Sequence, residues 1–122
     1  MNIVMLKGSL ARAPEVRELA SGEQVVGYEV IVLREGERAE TVPVVRNGSA
    51  AVAASAGWSA GHEVVVVGRV RRRFFRAGGV TQSRTEVVAD AVVTGSERRK
   101  VRTAVGRALE GVDGLVPRPH RG

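Results

Sequence analysis

Val64-Val65-Val66-Val67-Gly68-Arg69-Val70-Arg71-Arg72-Arg73-Phe74-Phe75-Arg76 is the stretch on which the reading of this chain turns. It opens as a β-branched run, the composition of a buried strand, and passes after one glycine into arginine and phenylalanine. Alternate side chains of a strand share a face, so Arg69, Arg71, Arg73 and Phe75 are expected to project together, with Val66, Gly68 and Val70 facing the other way. Arg72 and Phe74 fall on that second face, beyond the end of the core, where a hairpin tip meets solvent. Guanidinium groups along one face can track phosphates, and a ring beside them offers an unpaired base a stacking platform. The alternative is a solvated basic hairpin whose two rings cover its own root.

Working outward, Glu63 to Arg73 and Val80 to Val93 read as two long strands joined through Arg76-Ala77-Gly78-Gly79, a hairpin connection. Upstream, residues 2 to 10 read as a strand that continues after Ala13-Pro14 through Glu15 to Leu19. Ser21-Gly22 makes a turn and Gln24 to Leu33 a second strand, with Gly27 marking a bend that lets the sheet curl. Glu35-Gly36-Glu37 is the next turn and Glu40 to Arg46 the third strand. Pro43 lacks a ladder donor, so that strand is an edge or carries a break. Ala50 to Ala56 switches to strong helix formers, which Gly57 or Gly61 can end. Three strands, a short helix and two more strands is the order of an all-β OB-fold barrel of five strands, an architecture used for single-stranded oligonucleotides.

The chain has 122 residues and a formal net charge of +6, enough for one domain with a modest core and an appendage. Residues 1–95 carry 12 Lys and Arg against 10 Asp and Glu, and residues 96–122 carry 7 against 3. An anionic partner is favoured, though in the first segment only local arrangement makes the surface basic. Cysteine is absent, which excludes disulfides, thiolate chemistry and cysteine-ligated zinc. The start at Asn2-Ile3-Val4-Met5-Leu6 shows neither a basic leader nor a membrane-spanning run, so a cytoplasmic, nucleoid-associated protein is expected.

Several segments in order resemble the bacterial single-stranded DNA-binding protein family. Asn2-Ile3-Val4-Met5-Leu6-Lys7-Gly8-Ser9-Leu10, Pro14-Glu15-Val16-Arg17 and Ser21-Gly22 look like its first strand and turn. Gly61-His62-Glu63-Val64-Val65-Val66-Val67-Gly68-Arg69-Val70 is similar to its fourth strand, and Thr85-Glu86-Val87-Val88-Ala89-Asp90-Ala91-Val92 to its last. The resemblance covers roughly residues 2 to 93, and ordered spacing makes it more specific than any one piece. It implies an OB-fold that wraps single-stranded DNA without sequence preference, as a homotetramer or alternatively a dimer. Open barrel edges at the first strand and at the Pro43 strand point the same way.

The chain also departs from that pattern. Its aromatics are Trp58, Tyr28, Phe74 and Phe75 alone. Thr41 and Asn47 stand where the resemblance would place a tryptophan and a phenylalanine, leaving Phe75 as the principal stacker. Trp58 reads as core beneath the barrel, and Tyr28 shares the parity of Val26, Val30 and Val32, also a core reading. Phe74, Arg76, Lys7, Arg34, Arg46 and Arg84 complete the candidate path for a strand. The turn from Arg34 to Arg38 is short, which removes part of an embracing loop.

The end, Val116-Pro117-Arg118-Pro119-His120-Arg121-Gly122, is basic, so recruitment through an acidic tip is not expected. Before it, Val101, Ala104, Val105, Ala108, Leu109 and Val112 recur at helical spacing, which predicts a helix from about Glu97 to Glu110 with Gly111 as its stop. Arg98, Arg99, Lys100, Arg102 and Arg107 occupy its other face. The domain reading is therefore an OB-fold over 1–95 and a basic extension over 96–122, helical or disordered. The helix either frays as an appendage or docks on the barrel or another subunit and adds a basic contact to DNA.

His62 and His120 are separated and form no pair at metal-ligand or triad spacing, and no glycine run makes a phosphate loop. No enzyme activity, cofactor or metal site is implied, and a membrane role lacks bulky anchors. Two function classes remain, with RNA binding as a further alternative: a sequence-tolerant single-stranded DNA-binding protein of replication, recombination or repair, and an OB-fold interaction or oligomerisation module that has largely lost nucleic-acid affinity. The Arg71 to Arg76 run supports the first, and the scarcity of aromatics the second.

Overall fold

The computed structural model describes residues 1–33, 36 and 38–113, the last three by backbone alone. In chain order the elements are β1 (Val4–Leu10), β2 (Glu15–Glu18), β3 (Gln24–Val32), β4 (Glu40–Asn47), α1 (Ser49–Ser55), β5 (Glu63–Ala77), β6 (Val80–Thr94) and α2 (Arg98–Asp113). The strands form one sheet in the order β1-β5-β6-β4-β3-β2, which closes where Ser9 and Leu10 of β1 pair with Ile31 and Val30 of β3. This is the OB-fold barrel expected from the sequence. The first of its five strands is broken after Leu10, and β2 resumes the pairing with β3.

Closure depends on two glycines. A Cβ on Gly8 would lie 2.2 Å from the Ile31 carbonyl oxygen, where β1 crosses to β3, and one on Gly68 would lie 2.1 Å from the Val88 carbonyl oxygen. No other residue fits there without moving backbone. Gly27, the bend expected in the second strand, is under no such constraint, its nearest contact being 3.8 Å away. At Gly68 the β5–β6 ladder slips: Val67 pairs with Ala91 and Gly68 with Ala89, so Asp90 is the extra residue of a β-bulge. The slip lets Val92, Ala89 and Val87 all enter the interior cluster, a spacing that strict alternation cannot give.

Valine dominates that interior. Val26, Val30, Val44, Val64 and Val66 are fully buried with Leu10. Each is worth roughly 1.5–3 kcal/mol by burial, an upper bound because the unfolded chain already hides some surface. Tyr28 is buried among them and its hydroxyl hydrogen-bonds the Ser55 hydroxyl, which pins α1 over the barrel end. Burial raises the Tyr28 pKa above the usual tyrosine value, with the Ser55 hydrogen bond and the Arg46 charge pulling the other way. Trp58 packs on the same cluster and stacks on His62 with ring centroids 4.6 Å apart. Both rings are therefore part of the packing, as their positions in the sequence suggest.

Among the described residues, Pro43 sits where β4 has one neighbour, β3. The parallel pairing with β6 covers Val44↔Val87 and Val45↔Val88, just beyond it, so the missing donor falls in an edge segment.

α2 docks on the outside of the barrel. Ala104 is buried against Val65 and Val67, with Val101, Val105, Ala108, Ala91 and Val93 packed around them. The helix begins at Arg98 and runs to Asp113, so Gly111 lies inside it rather than stopping it. Leu109 remains 48% exposed, because the docked stripe is centred on Ala104 and Leu109 lies to one side. Residues 34, 35 and 37, which the turn reading relied on, and the basic end at 114–122 fall outside the described residues.

Candidate nucleic-acid interface

Beyond Gly68 β5 leaves the barrel, while β6 stays in it through Glu86, Val87 and Val88; past that level the two strands project together as a two-stranded arm. Every residue of β5 from Arg69 to Ala77 is exposed, four residues further than the strand end expected at Arg73. The arm closes at Gly78-Gly79, whose φ values of 59° and 79° suit a two-residue type I′ loop. That loop fixes the register: Arg69↔Val88, Arg71↔Glu86, Arg73↔Arg84 and Phe75↔Gln82 are directly opposed. Opposed residues of an antiparallel pair share a face, so Arg69, Arg71, Arg73, Phe75 and Arg84 lie together. Phe74 and Arg76 are on the reverse face, opposite Ser83 and Thr81.

Ion pairing sorts these cations. Arg71 donates to the Glu86 carboxylate at 2.6 Å, and Glu86 is only 2% exposed. Arg69 lies 3.7 Å from Asp90, with both side chains more than half exposed, a weak contact. Arg73 and Arg84 have no ion-pair partner among the described residues, although like charges opposed across a ladder destabilise a hairpin. They therefore leave positive charge for an anion. Arg17 of β2 joins them: a depression of about 420 Å³ is lined by Arg17, Arg71, Arg73, Glu86 and Asn47. A smaller one beside it, about 150 Å³, adds Arg84 and Arg12. Arg12 is itself bound to Glu29 at 2.9 Å.

Phe75 is 36% exposed, next to Arg73 on the cationic face, and Phe74 is 67% exposed on the reverse. Two further candidates are elsewhere. Lys7 lines a separate hollow with Ile31, Leu33 and Glu63, and Arg46 faces α2 beside Asp90 and Arg107. Arg34 lies outside the described residues. Arg17 and Glu86 were not anticipated. Arg17 gave no signal, because barrel closure is what carries β2 toward the arm.

A barrel with a projecting basic arm, and one exposed ring beside arginines that have no ion-pair partner among the described residues, has the features of an oligonucleotide-binding module. Residues 1–94 match the single-strand binding protein family, and the chain belongs to that family. Single-stranded DNA binding in general follows from this membership, and the family is one of DNA-binding proteins, not enzymes. No curated protein matches the chain. No helix among the described residues is long and apolar enough to cross a membrane.

Proposed function

We propose that the chain coats single-stranded DNA with little sequence preference, in replication, recombination or repair, as a cytoplasmic, nucleoid-associated homotetramer. The observation that carries this reading is the cluster of Arg17, Arg73 and Arg84 beside Phe75, where neither arm arginine has a carboxylate partner among the described residues. In this reading Arg73 and Arg84 neutralise phosphates, Phe75 stacks a base, and Arg69 and Arg71 shape the field from their ion pairs. Arg76 and Phe74 contact a strand only where it wraps the arm tip, and Lys7 only on a path reaching β1. Residues 1–95 form the binding domain and 96–122 its basic extension. With one stacking ring on the cationic face, worth ~1–3 kcal/mol per base, charge supplies most of the affinity.

The test is a titration of the full chain with single-stranded DNA, duplex DNA and RNA of equal length at two salt concentrations. Single strands should win over duplex, with affinity falling steeply as salt rises because phosphate counterions are displaced. Equal affinity for duplex would overturn the single-strand reading, and no binding to a long single strand at low salt would overturn it in favour of the interaction module. Preference for RNA would move the function to the RNA alternative.

A further inference from the structure

The docking of α2 creates a second basic feature that the arm does not include. Its cations do not share one outer face, as helical spacing alone suggested. The docked stripe of Val101, Ala104 and Ala108 divides them, leaving Arg98 and Arg102 on one flank and Arg99, Lys100, Thr103 and Arg107 on the other. This second flank faces Arg46 of β4 across a cleft of about 530 Å³. Four cations against the single carboxylate of Asp90 line it, and Asp90 also has Arg69 3.7 Å away, a weak exposed contact. Lys100 also contacts Glu97 at 2.9 Å, an exposed pair that water and salt screen.

The floor is Val67, Ala91, Val93, Ala104 and Ala108. Small aliphatic groups leave room for a sugar but offer no ring on which a base could stack, so the cleft suits a nucleic-acid backbone more than a base. Arg99, Thr103 and Arg107 recur every fourth residue, which spaces the backbone positions of the two arginines by about 12 Å along the helix. They can meet different phosphates of an extended strand. The bulge residue Asp90 lines the cleft and lies 3.7 Å from Arg69, so the cleft sits beside the root of the arm.

We propose that this cleft between α2 and the outer face of β5 and β6 holds a second stretch of the sugar-phosphate backbone of the same single strand. The inference rests on the single-strand reading of the arm, from which it is separable by experiment. The wild-type chain, the double variant Arg99→Ala/Arg107→Ala and the single variant Arg73→Ala are titrated with oligothymidylates of about 5 and about 16 nucleotides, the range one barrel accommodates. A glutamate-rich peptide serves as a second probe. Both cleft arginines are exposed, so the double variant should melt at the wild-type temperature.

The expected result is that the double variant binds the short oligonucleotide as wild type does but loses roughly tenfold or more on the long one. Its salt slope there should fall by about 1.4, for two phosphate contacts to a single strand. Arg73→Ala should weaken both lengths. Unchanged binding of both lengths by the double variant, with Arg73→Ala impaired, overturns the cleft alone and leaves the arm reading standing. Equal loss at both lengths would make the cleft part of the primary site and overturn a second segment. Peptide binding lost in the double variant while DNA binding is unchanged would assign the cleft to an acidic protein partner. Wild-type protein that binds neither oligonucleotide overturns the arm reading and the cleft with it.

Discussion

Arg71 and Glu86 show how one ion pair changes what a row of arginines offers. Glu86 is buried and Arg71 is about half exposed, so the carboxylate holds the guanidinium at the root of the arm and takes away its charge. Glu86→Gln should release that charge without stranding a buried ion, because Arg71 can turn to water. Single-strand affinity at low salt should rise, and the salt slope should steepen by up to ~0.7 as one more phosphate contact forms. Weaker binding with a shallower slope would mean that Glu86 orients Arg71 onto DNA rather than competing for it. Phe75 separates stacking from charge on the same face. Phe75→Ala should lower single-strand affinity by ~1–3 kcal/mol while leaving the salt slope nearly unchanged, whereas Arg73→Ala should reduce the slope by about 0.7. Phe74 lies on the reverse face, so Phe74→Ala should cost less. A large loss for Phe74→Ala with none for Phe75→Ala would mean that the strand is read by the other face.

The long hairpin is half core and half arm, and Gly68 is the joint. Before it Val64 and Val66 fill the barrel while Val65 and Val67 receive α2; after it every side chain of β5 is exposed. The β6 backbone at Val88 and Ala89 occupies the space where a Cβ would stand. Gly68→Ala should therefore destabilise the fold by roughly 1–3 kcal/mol or more, seen as a lower urea midpoint with an unchanged m value. A midpoint equal to wild type would show that the bulge yields at little cost. α2 belongs to the same scale. An isolated helix of its length is marginal in water, and its small apolar stripe is held because Val65, Val67, Ala91 and Val93 present a matching outer face.

At the scale of the whole molecule, the barrel closes incompletely. β1 pairs with β5 from Val4 to Ser9 but meets β3 only at Ser9 and Leu10, so most of its second edge has no strand beside it among the described residues. Unpaired edges can recruit further strands, and in the proposed assembly a second copy of the chain would supply one. Light scattering of purified protein should report a homotetramer, with a dimer as the smaller assembly, across micromolar concentrations. A monomer throughout that range would reject both and leave a wrapped strand with only one barrel to follow.

The sequence by itself determined the order of elements, the valine core and the change from apolar to basic at Gly68, because each is written in local composition and in period. It determined more than the strand faces: counting outward from the two-residue glycine turn pairs Ala77 with Val80, and hence Arg71 with Glu86. That carboxylate was legible as a partner but was not read as one. The positions of Arg17, Arg46 and Lys7 were decided only in three dimensions. Barrel closure brings β2 to the arm, the bulge at Asp90 sets the face of β6, and docking splits the α2 cations between two flanks. Contacts between residues far apart in the chain depend on how the sheet curls, and that curl follows from packing at Gly8 and Gly68, where the constraint is the neighbouring backbone and not the glycine's own sequence context.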